Sequence, residues 1–234
     1  MAEVIVSLDT PSAPDALRLV ERLGRAADFY TVGLELYTAE GPGVVRELLA
    51  RDKRVFLDLK LHDIPSTVAG AVRVASGLGV HLLTVHAAGG RAMLEAARDA
   101  ASGGLRLVAV TVLTSLDSAD LETSWGRPVG SVPDEASRLA SLAKAVGIDG
   151  AVAAASDAAG IRREVGDDFL LVVPGIRPAG SDRNDQRRTA TPADATSAGA
   201  DYLVVGRAVS RAADPAAALA GVLAEIGRAE ARPA

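Results

Sequence analysis

The stretch "VFLDLKLHDIPSTV" (55–68) has the apolar character of a buried β-strand, yet it carries several charges. Successive side chains of a strand point to opposite sides, so Asp58, Lys60 and His62 share one face. The apolar residues between them share the other face, which we expect to pack under helices. Burial of several charges is costly even when they are paired, so a functional role explains this face better than a structural ion pair does.

The rest of the chain repeats one unit, a short apolar run followed by a stretch of helical length. Eight runs have strand character: 3–9, 29–35, 54–61, 81–87, 105–113, 150–156, 169–176 and 201–208. Segments between them, such as 14–27 and 134–147, carry apolar residues at three- and four-residue intervals, which is typical of amphipathic helices. Alternating strands and helices imply parallel strands joined by right-handed crossovers.

Eight such units in 234 residues predict an α/β fold, a (β/α)8 TIM barrel formed by a single domain over residues 1–234. The alternative is an open, doubly wound sheet, which usually carries a glycine-rich turn after its first strand. The segment "SLDTPSAP" (7–14) follows the first strand here and contains no glycine. The sequence therefore favours the barrel.

Composition excludes several classes of function. The chain is 49% hydrophobic and only 3% aromatic, so its core must consist mainly of Ala, Val, Leu and Ile. A net charge of −5 without a basic run predicts no nucleic-acid partner. The sequence has no cysteine, which rules out disulfides and thiolate chemistry. Neither a signal peptide nor an apolar run of transmembrane length is evident, so we expect a cytoplasmic protein that does not bind membranes.

Polar residues recur where the predicted strands end, the position of the active site in barrels of this kind. Asp9 ends the first run and Thr114 follows the fifth. Gly206 and Arg207 follow the eighth and are typical of a phosphate site, because the glycine exposes backbone N–H groups and the arginine adds a forked cation. The long loop at 177–190 supplies three further candidates for closing over a phosphate, Gln186, Arg187 and Arg188.

Five strings taken together resemble the orotidine 5′-monophosphate decarboxylase family. They are "FLDLKLHDIPSTV", "TVHAAGG", "VTVLTS", "VVPGIRPAG…NDQRR…TP" and "DYLVVGRAV", and the resemblance covers nearly the whole chain. Related sugar-phosphate enzymes share the shorter D-x-K-x-x-D string, but usually not its I-P-x-T continuation or the P-G-I-R loop. The resemblance implies a homodimeric barrel that needs no metal or organic cofactor. Such an enzyme converts orotidine 5′-monophosphate to uridine 5′-monophosphate and CO2.

The resemblance also implies roles for individual residues. Lys60 would protonate the C6 carbanion that remains when CO2 departs, and Asp58 would lie beside the substrate carboxylate. Asp63, Ile64 and Thr67 would reach across the dimer interface into the partner's site. The remaining implied positions are Asp9 at the ribose, Thr114 and Pro174 at the pyrimidine, and Arg177, Gln186, Gly206 and Arg207 at the phosphate or in the loop that covers it.

One position departs from the family pattern. The second strand of the family normally reads K-V-G, whereas this chain reads "FYTVGLEL" (29–36), with Thr31 in place of the lysine. Without that cation the acidic groups of the site prevail over Lys60, and one carboxylate should take up a proton more readily. We therefore expect nucleotide binding with slow decarboxylation, whether the threonine arose by natural divergence or by engineering. The alternatives are a catalytically silent nucleotide-binding protein and a Mg²⁺-dependent sugar-phosphate decarboxylase or aldolase.

Overall fold

The computed structural model describes residues 2–178 and 188–231, and within them eight parallel strands close into a barrel in chain order. The strands are β1 (Glu3–Ser7), β2 (Phe29–Gly33), β3 (Arg54–Leu61), β4 (Leu82–His86), β5 (Arg106–Val110), β6 (Gly150–Val152), β7 (Leu170–Val173) and β8 (Tyr202–Val205). Each strand pairs with the next along the chain, and β8 closes the barrel against β1. The predicted (β/α)8 barrel is confirmed.

Helices follow the strands and pack against the outside of the barrel. They are α1 (Ala13–Leu23), α2 (Leu34–Glu40), α3 (Pro42–Ala50), α4 (Pro65–Leu78), α5 (Gly90–Ala100), α6 (Ser118–Trp125), α7 (Val132–Ala145), α8 (Ala155–Val165), α9 (Pro192–Ser197), α10 (Arg207–Ser210) and α11 (Pro215–Glu230). Side-chain caps fix where several helices begin. The Ser12 hydroxyl accepts the Asp15 N–H at the start of α1, and the Ser131 hydroxyl accepts the Asp134 N–H at the start of α7.

None of the helices in the described part of the chain is long and apolar enough to cross a membrane.

Several strands are shorter at their carboxyl ends than the apolar runs that predicted them. β2 ends at Gly33, β5 at Val110 and β6 at Val152, although the runs continue for two to four residues beyond these points. Leu34, for example, already belongs to α2. Apolar composition shows which segments are buried, but barrel hydrogen bonding decides where pairing stops and the chain turns outward.

The barrel interior holds its own apolar core, separate from the one between strands and helices. Seven strand residues form it, and we call this cluster the plug: Ile5, Phe29, Phe56, Leu82, Val108, Val172 and Tyr202. Their neighbours along the strands face the helices instead, as alternation requires. At the amino-terminal end of the barrel the Arg54 guanidinium lies 4.5 Å from the centroid of the Phe29 ring. The plug makes the barrel solid, so a ligand has access only from the carboxyl ends of the strands.

Candidate active site

A cavity of about 230 Å³ opens at the carboxyl ends of the strands, above the plug. Phe56 belongs both to the plug and to the cavity lining. Thr31 and Asp58 lie two residues beyond the plug residues Phe29 and Phe56, and therefore on the same inward face. The structure brings nine of the residues singled out in the sequence to this one cavity: Asp9, Thr31, Asp58, Lys60, Thr114, Pro174, Arg177, Gly206 and Arg207.

An ion pair between Lys60 and Asp58 stands at the centre of this lining. Lys60 Nζ donates to Asp58 Oδ2 at 2.7 Å, and the Thr84 hydroxyl donates to Asp58 Oδ1 at 3.0 Å. Both carboxylate oxygens thus have a partner, and the carboxylate has a fixed orientation. The side chains of Lys60 and Asp58 are 33% and 24% exposed, so the pair is sheltered but remains open to the cavity.

The backbone around Lys60 departs from regular strand geometry. Lys60 has a φ of 51°, in the left-handed region that non-glycine residues rarely adopt. Leu57 pairs with Leu83 whereas Leu61 pairs with Val85, so β3 carries a bulge at this point. The Lys60 N–H donates instead to the Thr84 hydroxyl at 2.7 Å. The threonine on β4 therefore stabilises both the bulge and the ion pair that the bulge presents to the cavity.

The cavity is electropositive although the chain as a whole is acidic. Among the described lining residues the cations are Lys60, Arg177 and Arg207, and the carboxylates are Asp9 and Asp58. One net positive charge remains, against −5 for the whole chain. A cleft of this sign attracts an anionic ligand.

A glycine allows one carboxylate to approach the end of β8. A Cβ on Gly206 would lie 3.3 Å from Asp9 Oδ2, a tighter contact than side chains normally make. Asp9 is oriented by the hydroxyl of Ser7, which donates to Asp9 Oδ1 at 2.7 Å. Gly206 therefore leaves both its own backbone and the Asp9 carboxylate accessible at the same edge of the cavity.

Thr31 is a buried polar residue of the cavity lining. It pairs with Ser7 on β1 and with Phe56 on β3, and it is only 3% exposed. Its hydroxyl has no hydrogen-bond partner among the described residues. A buried polar group without a partner costs about 1–3 kcal/mol, so this position is not optimised for the stability of the empty site.

Comparison with known proteins places the chain in a single family. A model of the "Orotidine 5'-phosphate decarboxylase / HUMPS family" matches residues 2–222. The chain belongs to that family. Orotidine 5′-phosphate decarboxylase of Halorhodospira halophila is 50% identical to it, over 97% of this chain and 96% of the relative. The Moorella thermoacetica enzyme of the same name is 49% identical over 96% of this chain and 92% of the relative. The crystal structure of the Lactobacillus acidophilus decarboxylase has a TM-score of 0.85 at 34% identity, and the match covers 97% of this chain and 99% of that chain.

Three residues that the decarboxylase resemblance assigned to a shared site lie outside the cavity of the single chain. Asp63, Ile64 and Thr67 follow β3 on the exposed rim, and Ile64 is 64% exposed. Asp63 Oδ1 accepts the Ile64 N–H at 2.6 Å, which shapes this turn. Their contact with a partner subunit stays a prediction, and Gln186 lies outside the described residues.

Sequence reasoning missed several supporting residues of this decarboxylase-family site. Ser7 and Thr84 orient the two cavity carboxylates, and each lies two residues beyond a plug residue on its strand, which is a signal that alternation offered. Arg188 was expected at a phosphate, yet it pairs with the buried Asp157. No local pattern indicates that contact, because the two residues are 31 positions apart.

Proposed function

We propose that the protein is an orotidine 5′-monophosphate decarboxylase, a carboxy-lyase of pyrimidine biosynthesis, and that Thr31 lowers its turnover. Membership of the decarboxylase family over nearly the whole chain supports the activity. The observation that carries the mechanism is the Asp58–Lys60 pair, held at 2.7 Å in an electropositive cavity.

Lys60 acts on the carbon that loses CO2. Cleavage of the bond between C6 and the carboxylate leaves an electron pair on C6, and the nearby ammonium stabilises this charge as it develops. The proton then passes from Lys60 Nζ to C6, which yields uridine 5′-monophosphate and a neutral amine that solvent reprotonates. Asp58 holds the ammonium in place and lies beside the departing carboxylate. The proposed reaction needs no metal and no organic cofactor.

The other lining residues bind the parts of the nucleotide that do not react. Asp9 accepts hydrogen bonds from the ribose, while Thr114 and Pro174 border the pyrimidine. Arg177, Gly206 and Arg207 hold the phosphate, with Gln186 as a further ligand. Because the phosphate is remote from C6, its binding energy can be used to orient the reacting end of the substrate.

The proposed enzyme is a homodimer that acts on soluble nucleotides in the cytoplasm. Asp63, Ile64 and Thr67 are exposed on the rim of the cavity, where a second copy of the chain can cover them. Burial of Ile64, which is 64% exposed in the single chain, gives such an interface an apolar anchor. In the dimer these three residues complete the site of the partner.

Thr31 removes a cation from the neighbourhood of Asp58. Its position on β2 is two residues before Gly33, which pairs with Asp58 in the barrel. A lysine there would place a second ammonium in the lining, whereas the threonine hydroxyl brings no charge and lacks a partner among the described residues. Transition-state stabilisation should therefore fall more than nucleotide binding does.

An absorbance assay of orotidine 5′-monophosphate loss tests the proposal with this chain, Thr31→Lys and Thr31→Met. We expect Thr31→Lys to raise kcat/KM about 100-fold, because a correctly placed charge in a sheltered site contributes roughly 3 kcal/mol to catalysis. Thr31→Met has similar length without the charge and should give no gain. Equal rates for the chain and Thr31→Lys would refute the role of Thr31.

The turnover assay, combined with a binding measurement with uridine 5′-monophosphate, separates the enzyme from a silent nucleotide-binding protein, an alternative that the unsatisfied hydroxyl of Thr31 favours. Tight binding of uridine 5′-monophosphate without turnover by the unmodified chain would support the silent alternative. Failure of every variant to bind or convert the nucleotide would refute the decarboxylase. Mg²⁺-dependent turnover of sugar phosphates in its place would identify a different reaction for the same fold.

A further inference from the structure

Arg188 links three segments around the cavity. Its Nη1 donates to Asp157 Oδ2 at 2.5 Å, in the first turn of α8. Its Nη2 lies 3.2 Å from the carbonyl oxygens of both Val112 and Leu113, just beyond β5. One side chain therefore ties the segment that precedes α9 to the carboxyl ends of two other strand–helix units.

The contact with Asp157 is buried and charged. Asp157 is only 1% exposed, and its second oxygen accepts the Ser156 hydroxyl at 2.9 Å. A buried carboxylate without a cation is strongly destabilising, so this position requires a positive partner. The side chain of Arg188 is itself only 19% exposed. An apolar contact could fill the same space, but only the guanidinium fork also reaches the carbonyl groups beyond β5.

Those carbonyl groups belong to the turn that carries Thr114. Leu113 O accepts the Leu116 N–H at 3.0 Å as well as the Arg188 arm. Val112, Leu113 and Thr114 all line the cavity. Any shift of the two carbonyls therefore moves the wall of the cavity on which Thr114 stands.

The residues next to Arg188 also hold one of the cavity cations. The Arg177 N–H donates to Ala190 O at 2.9 Å, and Ile176 forms a bridge with Ala190. Ala190 is two residues beyond Arg188. Arg177, which follows β7, and the turn with Thr114, which follows β5, are thus fixed to the same short segment.

We propose that Arg188 is a positioning residue, one arm of which neutralises Asp157 while the other holds the turn 113–116 and so places Thr114 against the substrate. Arg188 does not touch the ligand. The identity of the group that Thr114 meets, a pyrimidine, rests on the proposed function. The attachment of the turn to Arg188 does not.

Two variants distinguish the contact of Arg188 with Asp157 from its contact with the carbonyl groups beyond β5. Arg188→Lys keeps a cation for Asp157 but has a single nitrogen, which cannot also hold both carbonyls. Arg188→Met removes both contacts and leaves Asp157 buried without a cation, so it should lower the Tm clearly more than Arg188→Lys does.

Two measurements on Arg188→Lys test the contact between Arg188 Nη2 and the carbonyl groups of Val112 and Leu113. Hydrogen exchange of the Leu116 amide reports directly on the turn, and we expect it to be about tenfold faster than in the unmodified chain, at a similar Tm. The ratio of the Kd for ribose 5-phosphate to the Kd for uridine 5′-monophosphate reports the contribution of the base. We expect this ratio to fall about tenfold while the Kd for ribose 5-phosphate is unchanged.

Each other result counts against the proposal. Unchanged exchange of Leu116 means that the arm does not hold the turn, and an unchanged ratio means that the turn does not place Thr114. Equal weakening of both ligands means that Arg188 acts at the phosphate instead. Failure of the unmodified chain to bind uridine 5′-monophosphate refutes the proposed function, and Leu116 exchange then decides alone whether Arg188 holds the turn.

Discussion

His86 shows how one buried residue of the barrel acquires a pH dependence. Its ring stacks on that of His62, with centroids 5.0 Å apart and planes inclined by 18°. Burial, together with unfavourable electrostatic interactions with His62 and Lys60, lowers the pKa of His86 to about 4. His86 is therefore neutral in the folded protein at physiological pH, and a second charge beside Lys60 is avoided.

His86 should make the folded protein less stable as the pH falls. The unfolded chain takes up this proton near pH 6.5, whereas the folded protein resists it until about pH 4. The contribution of His86 to the free energy of unfolding is therefore fully present above pH 6.5, and it is lost progressively as the pH falls towards 4. Because His86 is partly exposed, we expect the free energy of unfolding to fall by only about 1–2 kcal/mol between these two pH values. Urea unfolding measures this change. His86→Gln should lack this component, and identical pH profiles for the two proteins would contradict the assignment.

At the scale of the element, the bulge of β3 decides how the central ion pair is presented. A regular strand would keep the Lys60 N–H in the ladder with β4. The bulge instead gives it the Thr84 hydroxyl as its acceptor, and that hydroxyl in turn donates to Asp58. The left-handed backbone at Lys60 is unfavourable, so its persistence depends on neighbours such as Thr84.

Thr84→Val should damage the bulge while preserving the shape of the side chain. It leaves the Lys60 N–H and one oxygen of Asp58 without this partner, so we expect a loss of about 1–3 kcal/mol in the free energy of unfolding. The kcat/KM should fall about tenfold or more, because the ion pair loses its orientation. Thr84→Ser retains the hydroxyl and is the matched control. Equal activity of the valine and serine variants would show that Thr84 does not orient the pair.

At the scale of the whole molecule, the exposed rim beyond β3 is the surface that the proposed homodimer would cover. Asp63, Ile64 and Thr67 are exposed, and Leu34 at the start of α2 is 57% exposed. The cavity that holds Lys60 belongs to the same chain, but the three rim residues do not line it. In the proposed homodimer, each cavity would combine groups from both subunits.

Subunit mixing tests that arrangement. Lys60→Ala and Asp63→Ala should each be nearly inactive alone, because each removes a group from both sites of its homodimer. In a mixed dimer one site receives both defects and the other receives neither. Equimolar mixing with random exchange should then restore about a quarter of the unmodified activity. Persistent inactivity, despite exchange verified by mass spectrometry, would mean that the two residues do not serve different subunits' sites.

The sequence by itself determined the barrel and half of the residues that line the cavity. Apolar runs mark buried strands through local composition, and their number favours closure. Asp58, Lys60 and Arg207 could be assigned to one site because the carboxyl ends of parallel strands meet at one end of a barrel. These inferences need only local pattern and a general rule of topology.

Only the tertiary structure decided the positions at which local pattern gives way to contacts distant in sequence. The bulge at Lys60 depends on Thr84, 24 residues away, and the burial of Arg188 depends on Asp157, 31 residues away. Strand ends likewise follow the pairing of neighbouring strands and not their composition. A hydrogen bond or ion pair between remote residues leaves no period in the sequence, since its energy depends on the geometry that the whole barrel imposes.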